Sequence, residues 1–164
     1  MKKYIVYFLL INVFTQCSQS TAYKVDGTVD MDDASQIFLI KVGEDSRPQP
    51  VDTLEVLDGK FSFSGEIEIP EMHYLFFDGQ RGNLPFVLES GNITISAYKD
   101  SLRSSKVSGT ASNKDFAAYL KGAKKFGEDL SKIQMEMRNP AISGDSLAIS
   151  DLKEQFDAMI DKLT

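Results

Sequence analysis

The chain has 164 residues, 42% hydrophobic and 26% charged, with one Cys, one His and no Trp; this composition excludes a disordered or collagen-like chain and fits one domain, or one domain with an appendage. Eighteen basic against 24 acidic residues leave a net charge of −6, which argues against neutralisation of a phosphate backbone as the main task, and no nucleic acid partner is expected. A single Cys makes neither an intrachain disulfide nor a C-x-x-C centre, and with a single His it cannot supply four zinc ligands.

At the N-terminus, Lys2 and Lys3 precede an apolar run from Tyr4 to Phe14 that is broken only by Asn12. These eleven residues match a secretory h-region and fall short of the roughly twenty apolar residues of a bilayer-spanning helix. Residues 1–16 are therefore read as a signal peptide. The following Thr15-Gln16-Cys17-Ser18 resembles the lipobox of bacterial lipoproteins, in which the peptide is cut before a Cys whose thiol then carries lipid. Gln16 stands where that family usually has a small residue, and Phe14 where it has Leu. The resemblance implies lipidation at Cys17, a tether over 17–22, attachment to a membrane through that lipid, and a cell-envelope location that is periplasm-facing or outer-membrane. Beginning at Cys17, the chain would carry 16 basic and 24 acidic residues, hence −8.

Residues 23–110 read as an antiparallel β-domain. The strand candidates are Tyr23–Val29, Gln36–Val42, Val51–Leu57, Lys60–Ile67, His73–Phe77, Leu84–Glu89 and Ile93–Tyr98. Asp58-Gly59 supplies the positive φ of a type I′ turn, and the following Phe61 and Phe63 alternate with serines, so a hairpin with one buried face is expected there. A second hairpin is expected at Ser90-Gly91-Asn92. Seven short strands without an intervening helical pattern predict a sandwich or an open barrel.

Residues 111–164 switch to a helical period. Phe116, Tyr119, Ala123, Phe126, Leu130, Ile133 and Met137 step by three and four, the apolar stripe of an amphipathic helix. Ser112 is placed as its cap, Asp115 in its first turn, and Asn139-Pro140 at its end. Ile149, Leu152, Phe156, Met159 and Leu163 repeat the stepping, which predicts an amphipathic αα-hairpin. No C-cap residue follows Leu163, so the hairpin is read as incomplete. The fold class is thus mainly β with C-terminal α. Charge follows the same division: residues 21–98 carry 5 basic and 14 acidic (−9), 99–138 carry 9 and 5 (+4), and 139–164 carry 2 and 5 (−3). Complementarity between the basic helix and the acidic β-domain of the same chain is the expected outcome.

The order of landmarks carries a second resemblance. Tyr23-Lys24-Val25-Asp26-Gly27-Thr28-Val29, Val51-Asp52-Thr53, Asp58-Gly59-Lys60-Phe61-Ser62-Phe63-Ser64-Gly65 and Pro70 come first. Phe86-Val87-Leu88-Glu89-Ser90-Gly91-Asn92-Ile93-Thr94-Ile95 and Val107-Ser108-Gly109-Thr110-Ala111-Ser112-Asn113 follow. The set is similar to the N-terminal domain of unknown function of Gram-negative lipoproteins of the AhpC/TSA type, where a helical hairpin and a thioredoxin-like domain with a C-x-x-C pair come next. The thioredoxin-like part has no counterpart in these residues, so no redox residue carries over. The resemblance implies a non-catalytic module that positions or dimerises a thioredoxin-like thiol-disulfide oxidoreductase domain lying outside this chain, with no cofactor of its own. Self-association through the helices is a further expectation.

Other constellations are weaker. Asp30-x-Asp32-Asp33 lacks the Gly and Glu of an EF-hand, since Ser35 and Lys41 occupy those positions. Glu66, Glu68 and Glu71 suit a wet strand face better than a carboxylate pair. His73 has no second His or nucleophile and is expected to be a hydrogen-bonded structural residue. Glu89 is expected to accept from free backbone N–H groups of the Ser90-Gly91-Asn92 turn. Asn92-Ile93-Thr94 matches the N-glycosylation pattern, while Thr53, Ser101 and Ser146 sit in Asp-Ser/Thr-aliphatic tripeptides that resemble envelope O-glycosylation acceptors. Tyr74 and Tyr98 are the candidate ligand-contact aromatics, which would make the chain a stand-alone lipoprotein holding a glycan or peptide.

Overall fold

The computed structural model describes residues 21–139 and 144–161; the signal peptide, Cys17, Pro140 and Leu163 lie outside them. Eight strands precede two helices: β1 (Ala22–Val29), β2 (Gln36–Val42), β3 (Pro48–Glu55), β4 (Lys60–Glu66), β5 (Glu71–Phe77), β6 (Leu84–Leu88), β7 (Gly91–Ala97), β8 (Lys106–Ser108), α1 (Ala111–Met137) and α2 (Ser146–Ile160). The strands form two four-stranded sheets, ordered β4-β1-β7-β8 and β3-β2-β5-β6. They stack as a sandwich that is not closed into a barrel.

The core follows from alternation. In the first sheet Val25, Phe61, Phe63, Ile93 and Ile95 point inward and are buried; in the second Ile37, Leu39, Leu75, Phe77 and Phe86 do the same. Aromatic edges knit the layers, Phe61 to Phe77 at 6.3 Å and Phe63 to Phe86 at 6.5 Å between ring centroids. Gly27 is required here because the Phe61 ring lies directly on its Cα, in the space any Cβ would occupy.

Several expectations are corrected. The strands are not all antiparallel: β1 pairs with β4 antiparallel but with β7 parallel, Val25 opposite Ile93. The Ser90-Gly91-Asn92 segment makes no hairpin, because β6 belongs to the second sheet and β7 to the first. Gly91 at φ +114° turns the chain across the sandwich instead. The Asp58-Gly59 turn does form, with φ +51° and +68°, and Leu57 and Lys60 exchange backbone hydrogen bonds of 2.9 Å. Beyond that single pair its arms part into different sheets. Leu54 and Val56 on one arm and Phe61 and Phe63 on the other must face each other across the core, and arms held in one sheet could not do this. An eighth strand, β8, closes the edge beside β7.

The registers define a base, where β1 begins beside Glu66 and Gly91 and β5 begins beside Leu88, and a top, where β1 ends near Lys60 and β5 ends near Gln36. Helix α1 starts at the base, packs along the open side between β6 and β8, and reaches Asn83, Leu84 and the Leu102–Ser104 turn at the top with its residues 120–131. At 1.5 Å per residue its 27 residues span about 40 Å, against about 23 Å for a seven-residue strand. Its C-terminal part therefore overhangs the sandwich. There α2 packs on it, and Ile133 and Leu152 are the buried apolar residues of the pair.

The apolar stripe of α1 is less continuous than its spacing suggests: Tyr119 is 68% exposed and Ala123 is exposed, while Phe126 and Leu130 are half-buried. The cap is Thr110 rather than Ser112. Among the described residues the charge segregation is not expressed as close ion pairs between α1 and the sandwich. The ion pairs among the described residues are Lys24–Asp26, Lys41–Glu71, Arg47–Asp45 and Lys124–Glu128, and none ties a lysine of α1 to the sandwich.

Candidate functional site

The most constrained polar chemistry lies where α1 meets the sandwich. Strand β6 is an edge strand, so the N–H and C=O of Val87 point away from β5 and would be orphaned. Asn113, 1% exposed, supplies both partners: the Val87 N–H donates to its Oδ1 at 2.9 Å, and its Nδ2 donates to the Val87 carbonyl at 2.7 Å. One side-chain amide thus stands in for the missing neighbouring strand. The same Nδ2 donates to Thr110 Oγ1 at 2.8 Å, which ties the helix cap into the joint.

Glu89, on the base connection after β6, completes it. The Ser112 N–H donates to Oε1 at 2.9 Å and the Ser112 hydroxyl to Oε2 at 2.7 Å. Thr110 makes no capping bond of its own, so a carboxylate from another element occupies the helix N-terminus, where the free N–H groups and the helix dipole favour negative charge. Burial pushes the Glu89 carboxyl up, but the hydrogen bonds from Thr110, Ser112 and Asn113 outweigh it and hold the pKa below the ordinary value. Glu89 is therefore an acceptor of free N–H groups, as its position suggested, but those of α1 and not those of the turn. Gly109, at φ +110°, makes the approach possible, since a Cβ there would run into the Asn92 carbonyl oxygen. Asn113 carries no role legible in the sequence beyond its place among the landmarks; its signal is a polar residue three positions after Thr110 on a face that must meet an edge strand.

The two candidate aromatics do not share a site. Tyr74 is half-buried on the outer face of the second sheet, with Ile40 and Pro85 opposite it on either side. It lines a cleft of about 670 Å3 at the base, together with Lys41, Gln49, Glu71 and Met72. Tyr98 is 48% exposed beyond the top end of β7, in the first sheet, and its N–H donates to Ser105 Oγ at 3.0 Å. Cys17 lies outside the described residues.

The remaining candidates resolve into structural parts. His73 is buried, its Nδ1 is 3.3 Å from the Glu71 carbonyl and its ring centroid is 6.2 Å from that of Phe86. Burial is the main cause holding its pKa below the ordinary value. Asp33 accepts the Asp58 N–H at 2.8 Å and so braces the turn at the top. Glu66, Glu68 and Glu71 are not on one strand: Glu66 ends β4, Glu68 is in the connection and Glu71 opens β5. Of the three acceptor tripeptides, Asp145 is spent as the cap of α2, accepting from the Leu147 and Ala148 N–H groups at 3.0 and 3.2 Å. No group of three His, Cys, Asp or Glu able to hold a metal is present among the described residues. No described helix is long and apolar enough to cross a membrane.

Residues 23–116 match the model of a family described as "Domain of unknown function (DUF4369)". The matched segment contains the sandwich and ends just after Asn113, so it includes the joint. No curated protein matches the chain.

Proposed function

Since the chain belongs to the DUF4369 family of domains of unknown function, we propose that it is the non-catalytic support module of a cell-envelope lipoprotein, anchored by lipid on Cys17, that positions a thioredoxin-like thiol-disulfide oxidoreductase domain lying outside these residues. The observation that carries this reading is the joint. A helix bolted by Asn113 and Glu89 to one sheet edge, which then overhangs the sandwich, has the form of a rigid arm. The arm leaves the base, beside the strand that begins five residues after Cys17, and rises toward the opposite end. A lipid on Cys17 would hold the base at the membrane, and the arm would carry a following domain away from it. A flexible linker would leave that domain free to wander; an arm sets its distance and orientation.

The test is to capture the protein from the source cell's envelope with antibody to the β-domain and to take its intact mass. The reading expects lipid on Cys17 and a species larger than residues 17–164 by a whole domain. A mass equal to those residues plus lipid would contradict the support role.

A further inference from the structure

We propose that the outer face of the second sheet is the contact surface of a homodimer, in which two copies of this chain pack face to face about a two-fold axis. This stands independently of the support role and places self-association on the sheet, not on the helices. The registers line up two rows across the face, Thr53, Phe38 and Phe76 in one and Pro50, Ile40, Tyr74 and Pro85 in the other. Val42, Met72 and Val87 continue it toward the base, with Val42 and Met72 52% and 37% exposed. The sole charge that strand alternation assigns to this face is Glu55, at its top corner. Neither described helix forms a layer over it, since α1 packs against β6 and β8 and α2 against α1. A sheet that is apolar on both sides is ordinarily covered on both.

The sheet is closed at its edges and open on its face. Pro48 and Pro50 on the edge strand β3 have no N–H to offer, and Pro85 on the other edge, β6, is in the same position. The Val87 groups of β6 are already taken by Asn113. A further strand, from a second copy or from an extended peptide, therefore finds few donors at either edge. Charge then narrows what can cover the face. Residues 21–98 carry a net −9, yet this surface holds no charge within its middle with which a charged partner could pair. An uncharged apolar surface of the same flatness matches it, and a second copy supplies one.

The area suffices for a modest dimer. At about 4.8 Å between strands and about 23 Å along the seven-residue β2 and β5, the four strands present a plane of roughly 440 Å2. Side-chain relief raises this toward roughly 600 Å2 of accessible surface per copy, the lower end of specific interfaces. Phe38, Tyr74 and Phe76 stand near its centre, and aromatic side chains at the centre of a patch carry most of the energy of such contacts. Two faces of this kind stack about 10 Å apart, the spacing of packed sheets.

The purified full chain should be followed by sedimentation velocity from about 1 to 200 μM, in a reducing buffer so that Cys17 cannot link two chains. The expected result is a monomer of 18.3 kDa in exchange with a dimer of twice that mass, with a midpoint in the micromolar range. Raising the salt should not weaken the dimer, because no charge pair holds it. Ile40→Lys and Tyr74→Lys should each weaken it about tenfold or more, and Thr94→Lys on the first sheet should leave it unchanged. Should a variant fail to fold, the wild-type chain still decides: on dilution through the midpoint the side-chain signals of Ile40, Tyr74 and Phe76 should shift, and those of Thr28 and Thr94 should not. A monomer at every concentration, a dimer that both lysine variants leave intact, or dilution shifts confined to the helices or the first sheet would each overturn the proposal. So would monomers that bind neutral phosphatidylcholine vesicles through Tyr74, which would assign the face to lipid.

Discussion

The two sheets meet in one core but turn opposite surfaces to the outside. The outer face of the first sheet is Lys24, Asp26, Thr28, Lys60, Ser62, Ser64 and Thr94, all exposed. The outer face of the second is half-buried through its middle, at Phe38, Ile40, Tyr74, Phe76, Pro85 and Val87, and exposed only toward β3, at Pro50 and Thr53, and toward the base, at Val42 and Met72. One sheet is amphipathic in the ordinary antiparallel sense, and the other is apolar on both sides. Both sheets lend an edge strand, β8 and β6, to α1, but only the second supplies the backbone groups that Asn113 pairs, while the first turns a polar face to water.

Mutations on the two faces and at the edge test this contrast. The largest effect is expected where the inner faces meet: Phe86→Ala, which empties a fully buried site against Phe63 and His73, should cost about 3–5 kcal/mol in denaturant unfolding. Next comes the edge. Asn113→Ala should cost about 2–3 kcal/mol, and the Val87 amide should lose protection in hydrogen exchange while central-strand amides keep theirs. Smaller again is the outer-face comparison: Phe76→Ala should cost about 1–1.5 kcal/mol, whereas Thr94→Ala on the first sheet should stay within about 0.5 kcal/mol. If both cost the same, the second sheet's outer face is not distinct.

The smallest effect is the pH dependence. The folded pKa of His73 lies below its unfolded value near 6.5, so the unfolded chain takes up the proton first. The stability of the neutral state is complete above about pH 6.5 and declines as pH falls through and below that value. The folded pKa of Glu89 is also lowered, but for an acid that stability is present above the unfolded pKa near 4.5 and is lost as pH falls through the folded value. Thermal melts from pH 8 to 3 should show two descending limbs. His73→Phe should flatten the upper one, and Glu89→Gln the lower.

How much of this was legible depended on the range of the signal. Strand positions in the first sheet were readable because serine and threonine alternate with Phe61, Phe63, Ile93 and Ile95. In the second sheet Gln36–Val42 and His73–Phe77 are nearly continuous apolar runs, so the strands could be found but not their faces. The Asp58-Gly59 turn was legible because its cause is local, the positive φ of two residues; the separation of its arms was not, because it depends on which core residues must face one another. The expected hairpin at Ser90-Gly91-Asn92 failed for the same reason. The helical stripe predicted two helices but not their division of labour, since Tyr119 and Ala123 keep the spacing and still face solvent. Tyr74 stands out in the sequence for its aromatic ring, whereas Gly43 and Gln49, which line the same cleft, are brought beside it only by the folded loop.

Asn113 takes the place of a strand at the edge of the second sheet and so fixes α1 to the sandwich. Hydrogen exchange of the Val87 amide in the intact chain tests it most directly. Protection comparable to that of Leu75 in the central strand β5 is expected, and it should be lost on Asn113→Ala. Exchange as fast as that of Val51, on the opposite and exposed edge strand, would show that the helix is not bound there and that the arm is not rigid.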